Sequence, residues 1–117
     1  MKGLPVNIDL APLSGTEAIQ LRFGEHQVQI HFANESSISV ESTMVLSAGA
    51  GDVRIDDYPH AASLLCRILG DRVLGATRGD DGGLLFRFES GTTLRVLNDS
   101  ARYESFQVQV AGQTYVA

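Results

Sequence analysis

A chain of 117 residues, 44% hydrophobic and 20% charged, has the size and composition of one folded domain with a sizeable core. Its net charge of −5 argues against a nucleic-acid binder, which needs a basic footprint, and leaves room for a protein partner. A single cysteine makes no internal disulfide, and no apolar run approaches the roughly 20 residues that span a membrane.

Residues 3–10 read as weakly strand-like, with Leu4, Val6 and Ile8 alternating and Pro5 suited to an edge. Asp9 interrupts the apolar character too early for a signal peptide, so a cytoplasmic protein is expected. A loop with Pro12 and Gly15 follows. Glu17 to Phe23 sets Ile19, Leu21 and Phe23 on one side against Gln20 and Arg22. Gln27 to Phe32 alternates again. Ile38, Val40, Met44 and Leu46 share one parity, which predicts a single long strand bent near Ser42.

After the Gly-rich connection at 48–52 and a short strand at 53–55, the period changes. Asp57 reads as an N-cap, Pro59 sits near the first helical position and Gly70 just past the end. Ala61, Leu64, Leu65 and Ile68 recur at i, i+3, i+4 and i+7, so one helix is predicted over about residues 58–69. Strands resume at 72–77, where Gly75 permits a bulge, and at 84–88, 94–96, 105–110 and 113–115.

Val28, Ile30, Phe32, Ile38 and Val40 lie over Leu84, Phe86, Phe88, Leu94 and Val96 at one constant offset. An internal repeat is therefore suspected, with residues 17–47 matching 73–111. The expected fold is α+β: a mostly antiparallel sheet of two similar β-meanders, with the one helix packed on one face. We expect a single sheet of six to eight strands, or a partly closed roll. Its second face then carries Gln27, Gln29, His31, Arg87, Arg95, Gln107 and Gln109.

The run Leu65-(x)3-Leu69-Gly70-Asp71-Arg72-Val73, the hairpin Leu84 to Val96, and Tyr103-Glu104-Ser105-Phe106 together resemble a family of small standalone bacterial proteins of unknown function, DUF6188. The resemblance covers about residues 60–110. It departs at Phe106, where the family pattern has tryptophan. Such proteins are similar in size and style to the immunity proteins of bacterial toxin systems. The resemblance implies no catalytic residues and no partner.

The residues themselves offer little chemistry. His26, His31 and His60 stand apart from other ligands at metal spacing, so no metal or other cofactor is expected. Cys66 falls in the C-terminal half of the helix, where the dipole opposes a thiolate; a buried or half-buried structural cysteine is expected. Asp56-Asp57 reads as helix capping and Asp80-Asp81 as turn chemistry with Gly82-Gly83. Glu104, beside Tyr103, stands at the entry to a long strand, either as a loop anchor or as a site residue.

The reading is a non-enzymatic protein-binding module, immunity-like in style. Its binding residues are Gln29, His31, Arg87, Arg95, Gln107, Tyr103 and Glu104. Two alternatives stand beside it. One is a small-molecule-binding or enzymatic domain with a pocket between helix and sheet. The other is a homodimer paired through edge strands or the open face.

Overall fold

The computed structural model describes residues 3–49, 51–99 and 105–117. After residue 17 the period-two segments form strands where they were expected. They are β1 (Ala18–Phe23), β2 (Val28–Phe32), β3 (Ser37–Val40), β4 (Met44–Ser47), β5 (Asp52–Ile55), β6 (Val73–Arg78), β7 (Leu84–Phe88), β8 (Thr93–Val96), β9 (Phe106–Val110) and β10 (Gln113–Val116). All ladders are antiparallel. With one short helix the fold is sheet-dominated α+β.

The strands divide between two five-stranded sheets rather than lying in one. The first has the order β1-β2-β3-β9-β10 and the second β5-β4-β8-β7-β6. The chain changes sheet at residues 41–43. What looked like one strand bent near Ser42 is β3 of the first sheet followed by β4 of the second. The corner is clamped by two bonds. Glu41 N donates to the Ser105 carbonyl at 2.9 Å, and Leu97 N donates to the Thr43 carbonyl at 2.9 Å. The physical reason for two sheets is cover. Every central strand has an apolar face, and one short helix has too little surface to shield them all, so each sheet buries its face against the other. Phe32 of the first sheet stacks on Phe86 of the second, with ring centroids 5.7 Å apart, and Phe86 stacks on Phe88 at 6.2 Å.

The two sheets are built alike. Each takes three consecutive strands from one half of the chain and the last two from the other half. Details recur at matched positions. Gly15 N donates to the Val73 carbonyl and Gly70 N to the Ala18 carbonyl, both at 2.7 Å. Ala33 N reaches the Glu17 carbonyl at 2.9 Å and Glu89 N the Arg72 carbonyl at 2.8 Å. A bulge opens β1 between Ala18 and Gln20, and another opens β6 between Val73 and Gly75. The extra residues, Ile19 and Leu74, are 57% and 58% exposed. This corrects the expectation that Ile19 shares a buried face with Leu21 and Phe23. The bulge shifts it out of phase.

The helix is shorter than expected. α1 spans Ala62–Leu65 and continues as a single 3-10 turn, Cys66–Ile68. The Asp57 carboxylate caps a preceding turn instead, accepting His60 N at 3.4 Å. The helix stops because Leu69 turns extended and bridges Ala18. The apolar stripe holds: Leu65 and Ile68 are buried, and Ala61 and Leu64 pack against the same core. Cys66 is exposed, contrary to expectation. Residues 3–10 form no strand, because Leu4 and Leu10 turn into the core while Val6 lies in solvent. No described helix is long and apolar enough to cross a membrane.

Candidate functional site

The expected polar face is split by the two-sheet architecture. On the outside of the first sheet, His31 pairs across with Ser37 and Ser37 with Gln109; Gln29 pairs with Ser39 and Ser39 with Gln107. Gln29, His31 and Gln107 thus stand together, as expected. His31 Nε2 lies 3.2 Å from Gln29 Oε1, and Ser37 Oγ donates to Gln109 Oε1 at 3.4 Å. Partial burial, and then the nearby Arg22 charge, hold the His31 imidazole below its usual pKa, so the ring is neutral at pH 7. Among the described strand residues facing outward here, only Arg22 carries a fixed charge.

Arg87 and Arg95 lie elsewhere, on the outer face of the second sheet. The register runs Arg54–Val45–Arg95–Leu85 across four strands, with Arg87 in the next row opposite Thr93. Arg54 lies 3.8 Å from Asp99. The Arg87 and Arg95 side chains make no ion pair or hydrogen bond among the described residues, although the Arg95 charge acts on Asp81, and both are exposed. The Arg87 guanidinium lies over Gly75, where a Cβ would meet its Nη2 at 2.9 Å. The missing side chain at the β6 bulge therefore makes room for the arginine. Tyr103 and Glu104 lie outside the described residues.

A third feature is an acidic cleft of about 280 Å³ beside Tyr58. Its floor is Ser42, Thr43 and Tyr58, all buried; its walls carry Glu25, Glu41, Asp56 and Asp99, with His26 beside them, its Nε2 3.6 Å from Glu25. The Tyr58 hydroxyl donates to the Ser42 carbonyl at 2.5 Å. Asp99 Oδ1 accepts Thr43 N at 3.3 Å. Among the described residues no three His, Cys, Asp or Glu side chains are grouped to hold a metal ion.

The model of a family of unknown function, DUF6188, matches residues 10–117. The chain belongs to that family. No curated protein and no solved structure matches it.

The cleft of this DUF6188 member escapes sequence reasoning because its carboxylates come from four separate segments. One signal was present in the pair Asp56-Asp57. Capping accounts for Asp57 alone, which binds His60 Nδ1 at 2.6 Å, and leaves Asp56 to face the cleft. The site also predicts a pH dependence. Burial above all, then the negative charge of Glu41, Asp99 and Asp56, pushes the Tyr58 hydroxyl well above its usual pKa of 10.0. The native state therefore keeps a proton that the unfolded chain releases. Stability is full below about pH 10 and falls as pH rises further. Tyr58→Phe is expected to cost about 1–3 kcal/mol at neutral pH, because the buried Ser42 carbonyl loses its donor. Melting temperatures taken at about pH 9 and about pH 11 should show a shallower alkaline decline in that variant. Equal slopes would remove Tyr58 as the source.

Proposed function

We propose that this protein is a non-enzymatic, cytoplasmic protein-binding module of bacterial type, and that it docks through the outer face of its second sheet. One observation carries the reading: in a chain of net charge −5, Arg87 and Arg95 stand on a rigid sheet with no ion-pair or hydrogen-bond partner for their side chains among the described residues, Arg95 acting only through its charge on Asp81, around half-buried Val45 and Leu85. Guanidinium groups are enriched at protein interfaces because they bind carboxylates bidentately and stack on flat surfaces. Strands hold them at fixed spacing, so little order remains to be imposed on binding. The first sheet's outer face offers neutral hydrogen bonds and little charge to steer an encounter. The partner is a protein with a carboxylate-bearing surface, as in an immunity-like pairing. The repeat of residues 17–47 and 73–111 belongs to the same proposal, and the matched ladders, bulges and turns support it.

The test is capture from the source cell with the intact chain as bait, beside an Arg87→Ala/Arg95→Ala double variant. Both side chains are exposed, so the melting temperature should hold. One stoichiometric acidic partner is expected. Its affinity should fall at least about 100-fold in the variant, each lost charged hydrogen bond being worth about 1.5–3 kcal/mol. Capture of the same partner at full strength by the variant would refute this face.

A further inference from the structure

Beyond the last β3–β9 pair, Ser37 with Gln109, the β2–β3 and β9–β10 hairpin tips part and enclose a cleft of about 410 Å³. One wall carries Asn34, Glu35 and Ser36, the other Gln109, Gln113 and Thr114. The lining is polar almost throughout, because its one large apolar residue, Val110, is only 2% exposed. It shares no residue with the cleft beside Tyr58.

The β2–β3 tip has a matched tip in the second sheet. Glu35 N donates to the Phe32 carbonyl at 3.1 Å and Gly91 N to the Phe88 carbonyl at 3.0 Å. Phe32 N reaches the Ser36 carbonyl and Phe88 N the Thr92 carbonyl, both at 2.9 Å. Against that match the first tip departs twice, and both departures line the cleft. The turn demands a left-handed residue. Gly91 supplies it at φ +94°, whereas Glu35 is held at φ +70°, a conformation that strains any residue with a Cβ. Such strain gathers at sites where the side chain serves a ligand. The second departure is at Ser36. Thr92 Oγ1 accepts Ser90 Oγ at 3.0 Å, but the Ser36 hydroxyl makes no hydrogen bond among the described residues, although Ser36 is only 4% exposed. Its Oγ still reaches the surface, unlike the sealed Ser42 Oγ. An accessible, unbonded hydroxyl on an otherwise buried residue is a place where a ligand completes the bonding.

The opposite wall supplies donors. Gln109 Oε1 accepts Ser37 Oγ at 3.4 Å, and Gln113 Oε1 accepts the Tyr115 hydroxyl at 3.0 Å. With their oxygens engaged, both amides keep Nε2 for another partner. Asn34 is occupied in shaping the tip, its Nδ2 donating to the Pro12 carbonyl at 2.8 Å and its Oδ1 accepting Ser36 N at 3.1 Å. The Glu35 carboxylate makes no ion pair among the described residues. A ligand here accepts from two amides on one side and donates to a carboxylate on the other. A hydroxyl group does both at once, so neighbouring hydroxyls on a compact ring meet the two walls together. A peptide backbone also accepts and donates, but its side chains need apolar pockets that this polar lining does not offer. We propose that the cleft binds one ring of a saccharide, its hydroxyls donating to Glu35 and accepting from Gln109 and Gln113, with Ser36 Oγ completing the contact. A free sugar and the end of a glycan chain share that chemistry.

The experiment titrates the full isotope-labelled chain with glucose, N-acetylglucosamine and their linear trimers, maltotriose and chitotriose, following amide resonances. A parallel titration uses acetyl-Ala-Ala-Ala-amide. Saturable shifts centred on Glu35, Ser36, Gln109 and Gln113 are expected from at least one sugar, and none from the peptide. Equal binding of a monosaccharide and its trimer supports the site with a free sugar as its ligand. Markedly tighter binding of the trimer supports it with a glycan end. Glu35→Gln keeps the backbone strain and removes the charge, so it should weaken binding about fivefold or more. Glu35→Gly relieves the strain, so the melting temperature should rise while binding is lost. Ser36→Ala should weaken binding severalfold at an unchanged or higher melting temperature. No saturable shift by about 50 mM of any of the sugars, saturable binding of the peptide at these residues, or undiminished affinity in Glu35→Gln would overturn the proposal. The Arg87→Ala/Arg95→Ala variant should bind the sugar normally, so this proposal and the docking face fail separately.

Discussion

Replacing Phe86 by alanine is expected to cost about 3–5 kcal/mol, a large share of the roughly 5–15 kcal/mol that hold a domain of this size. Phe86 is fully buried and is the middle ring of a three-ring stack, lying between Phe32 of the first sheet and Phe88. Its removal loses the transfer free energy of the ring and leaves a cavity that two hydrogen-bonded sheets close only in part. The aromatic pairings add about 0.5–1.5 kcal/mol each beyond area. The melting temperature should fall by roughly 12–20 °C. Phe23→Ala is the control, because that ring stands at the sheet edge, is 36% exposed and joins no ring stack. Urea melts decide the matter. A Phe86→Ala cost near that of Phe23→Ala would mean that the two sheets do not depend on a shared core.

The alternation that makes Phe86 a core residue was legible in the sequence, as were the positions of the β-strands after residue 17. Sheet membership was not. A strand that joins the first sheet and one that joins the second show the same apolar–polar period, so β3 and β4 read as one bent strand. The signal for a break lay in Glu41-Ser42-Thr43, three polar residues in a row, of which Ser42 and Thr43 are buried at the corner between the sheets. The helix was overestimated for a related reason. Its apolar stripe continues to Ile68, but tertiary pairing of Leu69 and Gly70 with Ala18 ends it at that point. Local propensity cannot register such a bond.

The candidate surfaces follow from the same division. Parity alone placed Gln29, His31, Gln107, Arg87 and Arg95 on outward faces, and all five do face outward. Parity could not say that the arginines stand on a different sheet from the glutamines. The acidic cleft was less legible still. Glu25, Glu41, Asp56 and Asp99 have no common spacing and meet only where a hairpin tip, the sheet-switching corner, the pre-helical turn and the segment after β8 converge. A buried hydroxyl without a partner among the described residues, such as Ser42 Oγ, leaves no trace in a sequence.

Gly83→Ala should be the most damaging single-methyl change near the Arg87 face. A Cβ at Gly83 would lie 2.1 Å from the Val96 carbonyl oxygen and 2.9 Å from Asp81 Oδ1. The first neighbour is backbone, held by the β7–β8 ladder in which Leu84 pairs with Val96, so no side-chain rotation relieves the overlap. The second is a carboxylate that clasps the turn, accepting Gly83 N at 2.8 Å and Asn98 N at 3.0 Å. Partial burial raises the Asp81 pKa, but the backbone amides, together with the Arg95 charge, outweigh it and hold the carboxyl below its usual value. Its contribution is therefore present above about pH 4 and lost as pH falls further. The methyl group must push the two strands apart, and overpacking of this kind costs about 1–3 kcal/mol or more. Gly91→Ala separates sterics from backbone conformation. Gly91 has φ +94° with nothing within 4 Å of its would-be Cβ, so only conformational strain of about 1 kcal/mol is expected there. Chemical denaturation at about pH 7 and about pH 3 checks both parts. Gly83→Ala should be the weaker protein at neutral pH and should lose less on acidification, because its Asp81 clasp is already sprung. A Gly83→Ala protein as stable as Gly91→Ala would show that the β7–β8 ladder yields at its first pair. The strand carrying Arg87 would then be less firmly held than docking through a rigid face requires.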